Sequence, residues 1–251
     1  MRTLILCLAL FALAACESPD INEPLPLSSN KQVDPTLKEA VAEAEQANDW
    51  AAAAEYYHSL FERSPNDEKL ALRYARSLRY AGYGPEAAAA LIPFTDKHPK
   101  NAALLFELGK DLVAASQPAR AVEVFKKALT LEPRSWEILS ALGIAYDYQD
   151  MSAEAQESYL KALDIAPENP VVLNNLALSQ AKSGALPIAI ATLERAARQP
   201  RARMQVRQNL AVLLAYKGDA QNAERLARQD LPSDMAGRNA ALFRLFAAPE
   251  N

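Results

Sequence analysis

Alanines recur every 34 residues along this chain, and a repeat of that length is compatible with few folds. The six positions are Ala53, Ala87, Ala121, Ala155, Ala189 and Ala223. Prolines keep the same interval at Pro65, Pro99, Pro133 and Pro167, and Pro200 comes one residue early in the next cycle. Internal similarity at a fixed period of this size is typical of a chain that stacks one short unit many times. A single unit cannot bury its apolar face alone, so the core forms between neighbouring units.

Two cycles carry a fuller pattern around the shared alanine. The third has Leu105, Leu108, Gly109, Leu112, Ala121, Phe125, Ala128 and Pro133; the fourth has Leu139, Leu142, Gly143, Tyr146, Ala155, Tyr159, Ala162 and Pro167. This pattern resembles the tetratricopeptide repeat family, whose unit is a helix–turn–helix. The resemblance implies an all-α fold, a right-handed superhelical α-solenoid of about six tetratricopeptide helix pairs with a C-terminal capping helix.

The residues that start helices and form turns agree with this register. The predicted turn positions between paired helices are Gly82, Ser116, Asp150, Gly184 and Gly218. The predicted N-caps of the next first helices are Asp67, Asn101, Ser135 and Asn169. A generic helical bundle with chance alanine spacing is the alternative, but it does not explain why alanines, prolines, caps and turns share one register.

The register predicts a leader, a tether, six repeats and a tail. The repeats are predicted at 34–67, 68–101, 102–135, 136–169, 170–203 and 204–232. Residues 233–251 are predicted to form the capping helix and tail, with Leu242, Leu245 and Phe246 facing inward to cover the last apolar face.

The amino terminus predicts export. Met1 and Arg2 precede the apolar run Thr3–Ala15, which is shorter than the roughly 20 residues that span a bilayer and is typical of a signal peptide, predicted at 1–15. The run ends in Ala14, Ala15 and Cys16, which resembles the bacterial lipoprotein cleavage box and implies lipidation of Cys16. Residues 16–33 would then be the lipidated cysteine and an extended, proline-containing tether. A plain secretory signal with an incidental cysteine is the alternative.

Composition and motifs favour a noncatalytic protein. The formal net charge of −4 disfavours nucleic acid as a partner. The sequence lacks HExxH, a glycine-rich phosphate loop and GxSxG. The two histidines, His58 and His98, are predicted to be surface residues without a metal-ligating neighbour. We therefore expect no catalytic residues, no metal, no cofactor and no small-molecule substrate.

The tetratricopeptide resemblance implies that the first helix of each pair lines a concave groove that binds a peptide. The groove residues carried over by register are Arg73, Arg76, Arg79, Tyr80, Phe106, Lys110, Tyr148, Asn175, Lys182, Asn209 and Tyr216. The arginines would bind carboxylates, and the asparagines would bond an extended peptide backbone. The equal alternative is that these are solvated residues of the inner face, with the tyrosines packing between adjacent first helices.

Segments in the tail, together with the lipoprotein box and the repeats, resemble the TadD lipoprotein family of tight-adherence (Tad, or Flp) pilus assembly systems. The segments are Asn209-Leu210-Ala211, Ala223-Glu224-Arg225-Leu226-Ala227, Asp230-Leu231-Pro232, and Asn239 before Leu242. The resemblance implies a scaffold anchored by its lipid to the periplasmic face of the outer membrane. That scaffold would assist assembly or stability of the pilus secretin, or bind another periplasmic pilus component. The alternatives are another envelope scaffold (a type IV pilotin, or an adaptor for β-barrel assembly or peptidoglycan enzymes) and a protein with a hidden small-molecule site.

Overall fold

A computed structural model describes residues 35–200, 202, 204–230, 239 and 243 of the chain. Within these residues the structure contains twelve helices and no strand. In chain order they are α1 (Pro35–Gln46), α2 (Trp50–Arg63), α3 (Glu68–Tyr80), α4 (Gly84–Lys97), α5 (Ala102–Ala114), α6 (Pro118–Leu131), α7 (Trp136–Asp147), α8 (Ser152–Ile165), α9 (Pro170–Lys182), α10 (Leu186–Ala197), α11 (Met204–Lys217) and α12 (Ala220–Asp230). The predicted all-α fold built from short helices in pairs is confirmed. We call the odd-numbered helices first helices and the even-numbered ones second helices.

The helices group into two compact units. The N-terminal unit ends at Gln149 and holds α1 to α7, and the C-terminal unit begins at Asp150 and holds α8 to α12. Within each unit, every helix packs against the next one along the chain. First helices of consecutive pairs also contact each other directly, α3 with α5 and α5 with α7 in one unit, and α9 with α11 in the other.

The alanines of the 34-residue period are fully buried in both units. All six, Ala53, Ala87, Ala121, Ala155, Ala189 and Ala223, have 0% exposure. Large side chains are also fully buried, among them Tyr57 and Phe125 in the N-terminal unit and Tyr159 and Leu193 in the C-terminal unit. Complete burial of an apolar side chain of this size contributes about 1.5–3 kcal/mol, so these residues stabilise the stacking of the helices.

Two glycines allow helices of the N-terminal unit to approach closely. A Cβ added to Gly109 on α5 would lie 2.3 Å from Cε1 of the buried Phe125 ring on α6. A Cβ on Gly84, the first residue of α4, would lie 2.4 Å from the carbonyl carbon of Ala114. Such separations are far shorter than a van der Waals contact, so these positions require the absence of a side chain.

The predicted caps and turns are confirmed. The side chains of Asp67, Asn101, Ser135 and Asn169 accept hydrogen bonds from backbone N–H groups in the first turn of α3, α5, α7 and α9. Left-handed backbone occurs in the turn between paired helices of every cycle, at Asn48 (φ 54°), Gly82 (88°), Ser116 (57°), Asp150 (60°), Gly184 (87°) and Gly218 (101°), and also between helix pairs at Glu168 (63°), before α9. Such a residue just after a helix lets the chain reverse into the next one, because it orients the following N–H groups toward the last helical carbonyls.

Several predicted segments lie outside the described residues. These are the signal peptide, Cys16, the tether, and Leu242, Leu245 and Phe246 of the capping helix. Of the tail, Asn239 and Phe243 are described; both are helical, and Phe243 is buried in the core of the C-terminal unit. No helix in the described part of the chain is long and apolar enough to cross a membrane.

Candidate binding surface on the first helices

The predicted groove residues lie on or just after first helices, in two separate sets. In the N-terminal unit, Arg73, Arg76, Arg79 and Tyr80 lie on α3, Phe106 and Lys110 on α5, and Tyr148 just after α7. In the C-terminal unit, Asn175 and Lys182 lie on α9, and Asn209 and Tyr216 on α11. We call these the N-terminal and C-terminal first-helix surfaces.

Two of the three arginines are paired with one carboxylate of this chain. Glu45 on α1 lies 3.5 Å from Nη2 of Arg76 and 3.9 Å from Nη1 of Arg73. Arg73 also donates a hydrogen bond of 3.1 Å to the Tyr57 hydroxyl, which in turn donates to Glu45 at 2.9 Å. Burial raises the pKa of Tyr57 to about 12, so the phenol stays protonated at physiological pH. This network connects the first two helix pairs.

The third arginine, Arg79, lies between two carboxylates of α5. Its Nη1 pairs with Oδ1 of Asp111, and its Nη2 lies 3.0 Å from Oε2 of Glu107. Lys110 lies 2.7 Å from the other oxygen of Glu107. We call these four residues the α3–α5 charge cluster. Asp111 has 0% exposure, and its second oxygen, Oδ2, is buried without a hydrogen-bond partner.

The pKa values of the two carboxyl groups of the cluster are shifted in opposite directions. Burial works to raise the pKa of Glu107, but Lys110 and Arg79 outweigh it and hold that pKa below its usual value. Burial raises the pKa of Asp111 to about 7, because Arg79 pairs with one of its oxygens only and the nearby Glu107 repels a second negative charge. Burial lowers the pKa of Arg79, but its two carboxylate neighbours outweigh that effect, so the guanidinium stays charged.

Aromatic rings border these charges. The Tyr80 ring packs against Trp50 on α2, with 4.8 Å between centroids. Nζ of Lys110 lies 4.5 Å from the centroid of Phe106, a cation–π distance. Tyr148 is 41% exposed, so it presents the largest open aromatic area among the predicted residues of this unit.

The C-terminal first-helix surface is built on amides rather than charges. Nδ2 of Asn209 donates to Oδ1 of Asn174 at 2.8 Å, and Asn174 donates to Asn175 at 3.3 Å. Gln205 donates to Asn209 at 3.2 Å. The three asparagines are at most 6% exposed, so their side chains connect α9 with α11 beneath the surface.

Two other predicted residues of this unit are more accessible. Tyr216 near the end of α11 is 42% exposed. Lys182 at the end of α9 lies 2.6 Å from Asp150, and this contact lowers the pKa of the exposed Asp150 carboxyl. Lys182 is therefore held close to the turn before α8.

The ion pairs within the N-terminal unit limit what the N-terminal first-helix surface can bind. A ligand carboxylate at Arg73, Arg76 or Arg79 has to compete with a carboxylate already present. The role of the arginines as carboxylate receptors stays a prediction, now with that condition. Glu45 and Asp111 form the charged networks but are not among the predicted site residues, because the register shows which face a residue occupies and not which neighbour a long side chain reaches.

The histidines lie at the surface, as predicted, and each lies near one carboxylate of this chain. His58 lies 3.4 Å from Glu62 one turn along α2, and His98 lies 3.9 Å from Glu68. Across the described ranges, no group of three or more His, Cys, Asp or Glu residues is arranged to hold a metal ion.

Comparison with known families identifies the repeat. Residues 106–170, from α5 to the start of α9, match a tetratricopeptide repeat model. The chain carries tetratricopeptide repeats. Solved tetratricopeptide structures agree: TTC0263, a tetratricopeptide protein of Thermus thermophilus, covers 71% of this chain with 97% of its own, at a TM-score of 0.62 and 19% identity. The type IV pilus biogenesis factor PilW covers 83% with 100% of its own chain, at a TM-score of 0.66 and 18% identity. At such identity these likenesses show the fold alone.

Two curated relatives match parts of the tetratricopeptide chain. Protein y4yS of Sinorhizobium fredii is 35% identical over 88 residues, which are 35% of this chain and 48% of that protein. Cellulose synthase operon protein C of Pseudomonas fluorescens is 31% identical over 129 residues, 51% of this chain and 10% of that protein. The chain thus spans less than half the length of these two relatives.

Proposed function

We propose that this chain is a noncatalytic tetratricopeptide scaffold that binds protein partners during tight-adherence (Tad, or Flp) pilus assembly. In this proposal it assists assembly or stability of the pilus secretin, or binds another periplasmic pilus component. Cys16 carries lipid and holds the chain at the periplasmic face of the outer membrane. The partner binds along the first-helix surfaces.

The observation that carries the binding role is the row of first helices in each unit. Side chains of consecutive first helices contact each other there, and each unit has an exposed tyrosine on or just after a first helix: Tyr148 in the N-terminal unit and Tyr216 in the C-terminal one. Aromatic side chains offer large contact area at low entropic cost, which suits protein recognition.

The pilus assignment has separate support. It rests on the tail segments, the lipoprotein box, and the fold shared with PilW, itself described as a widely conserved type IV pilus biogenesis factor. Fractionation of cells tests it, with antibody detection of heat-resistant secretin multimers in the outer membrane of wild-type, deletion and Cys16→Ser strains. We expect loss of multimers in the deletion strain and partial or full loss in Cys16→Ser. Unchanged multimers and surface pili in the deletion strain would refute the pilus role and leave the general scaffold role.

Site-specific photocrosslinking tests the binding surface. A photoreactive phenylalanine analogue replaces Tyr148 or Tyr216, and the matched control replaces Tyr83, which is 49% exposed but lies at the N-cap of a second helix. We expect crosslinked partner at 148 or 216 and none at 83. Crosslinking at position 83 alone would place the partner away from the first helices.

A further inference from the structure

One ionisable group of the N-terminal unit, the carboxyl of Asp111, is buried without enough hydrogen bonds to offset the loss of its hydration. Asp111 lies at the contact between α3 and α5 with 0% exposure. Its Oδ1 pairs with Arg79, whereas Oδ2 has no partner. A buried oxygen that carries negative charge and accepts no hydrogen bond is costly, whereas the same oxygen in a protonated carboxyl costs much less.

The groups around Asp111 set the balance between its two forms. From α3, Arg79 favours the ionised form; on α5 itself, Glu107 opposes it and Lys110 favours it. The second helices α4 and α6 pack on α5, but every charged residue on them is exposed. From α7, which also contacts α5, the buried charged residue is Asp147, a further carboxylate.

Arg79 is shared and cannot neutralise Asp111 alone. Its Nη2 bonds Glu107 while its Nη1 bonds Asp111, so one cation serves two carboxylates. Lys110 contacts Glu107 at 2.7 Å, and these ion pairs leave Asp111 with the weaker share of positive charge.

We propose that Asp111 is a proton-binding residue inside the N-terminal unit, and that its ionisation makes the contact between α3 and α5 sensitive to pH in the mildly acidic range. In acid the carboxyl is neutral, and Arg79 remains bound to Glu107. As the pH rises, Asp111 ionises and Oδ2 becomes a buried, unpaired charged oxygen.

The sign of the pH dependence follows from proton linkage. Burial raises the pKa of Asp111 to about 7 in the folded chain, whereas an aspartate in an unfolded chain titrates near about 3.9. Between these values the folded state binds one proton more than the unfolded state, so stability falls as the pH rises from about 4 to about 7. An ordinary ion-paired aspartate gives the opposite slope.

The direct test is nuclear magnetic resonance of the protein. The side-chain carboxyl carbon of Asp111, assigned through its own backbone amide, is followed from about pH 3 to about pH 9. We expect a titration midpoint shifted upward by several pH units from the usual value for aspartate. A midpoint near the usual value would overturn the proposal, and this measurement needs no variant.

A second test uses the Asp111→Asn variant, whose amide resembles the neutral carboxyl. The two tryptophans of the chain, Trp50 and Trp136, both lie in the N-terminal unit, so their fluorescence reports urea unfolding of that unit. As the pH rises from about 4.5 to about 7.5, we expect the urea concentration at the wild-type unfolding midpoint to decrease relative to that of Asp111→Asn. The matched control is Asp96→Asn, at an exposed position on α4, which should keep the wild-type slope. Parallel midpoints for wild type and Asp111→Asn would overturn the proposal.

Discussion

The contact at Gly84 supports a quantitative prediction about how closely helices must approach. In the N-terminal unit, Gly84 begins α4 and lies against the end of α5. In a Gly84→Ala protein the new Cβ would lie 2.4 Å from the carbonyl carbon of Ala114 and 2.5 Å from both its oxygen and the nitrogen of Ala115. Ordinary contacts between carbon atoms lie near 3.5–4.0 Å, so the helices must move apart by about 1 Å.

The loss of stability caused by Gly84→Ala depends on which atoms the new Cβ meets. The obstructing atoms are backbone, which cannot rotate away as a side chain could. Adding a methyl group to a packed contact costs about 1–3 kcal/mol. Alanine returns at most about 1 kcal/mol of helix propensity, and less at the first position of a helix. We therefore expect a net destabilisation of about 2 kcal/mol, which lowers the melting temperature of a unit of this size by roughly 10 °C.

Tryptophan fluorescence during thermal and urea unfolding measures this effect, because both tryptophans lie in the affected unit. The control is Gly82→Asn, two residues earlier. A Cβ there meets nothing within 4 Å, and asparagine adopts left-handed backbone at lower cost than most residues, as Asn48 does with φ 54° at the same position one cycle earlier, although Gly82 itself has φ 88°. The control should cost no more than about 1 kcal/mol. A Gly84→Ala protein as stable as wild type, or a control equally destabilised, would refute the reasoning from close approach.

Three other substitutions test single features by urea unfolding. Ser116→Gly should stabilise the N-terminal unit by about 1 kcal/mol, because Ser116 adopts φ 57° and glycine adopts it without strain; an unchanged or lower midpoint would contradict this. Asn101→Ala should destabilise the same unit by about 1 kcal/mol through loss of the cap bond to the Leu104 amide and of the hydrogen bond that Nδ2 donates to Glu68, and Asn101→Ser should restore part of it by capping again. Asn209→Ala should destabilise the C-terminal unit by about 1–3 kcal/mol, because it leaves the buried Asn174 oxygen unpaired. That unit lacks tryptophan, so its unfolding is followed by circular dichroism. An unchanged urea midpoint would show that the amide network contributes little to stability.

The features that could be predicted from the sequence are those fixed by the position of a residue within the period. Alanines at helix crossings, N-caps such as Asn101 and turn residues such as Ser116 follow from local backbone geometry and from the repeat spacing. Each of them acts on its own helix or on the next one. A single sequence with a clear period therefore suffices for the helices, for the pairing of helices and for the surface on which the candidate residues lie.

The networks of the candidate site could not be predicted in the same way. Arg79 and Asp111 are 32 residues apart, and their pairing depends on the rotamers of long side chains and on which neighbours compete for them. Gly84 illustrates a second difficulty. At the same position of other cycles the chain has Trp50 and Pro118, so no repeated pattern marks the close contact with Ala114.

The polar contacts between consecutive first helices also give the repeats a fixed order. Suppose that the second and third helix pairs were exchanged in the chain, which would leave the apolar pattern of each pair intact. By the spacing of the existing contacts, Arg79 would then lie opposite Ala145 in place of Asp111, and Glu45 would lie opposite Glu107 in place of Arg73. One buried cation would lose its partner, and two carboxylates would approach each other. The alanine pattern alone would allow the helix pairs to follow one another in any order. The charged contacts favour the native order, so the chain specifies the order of its helix pairs as well as their fold.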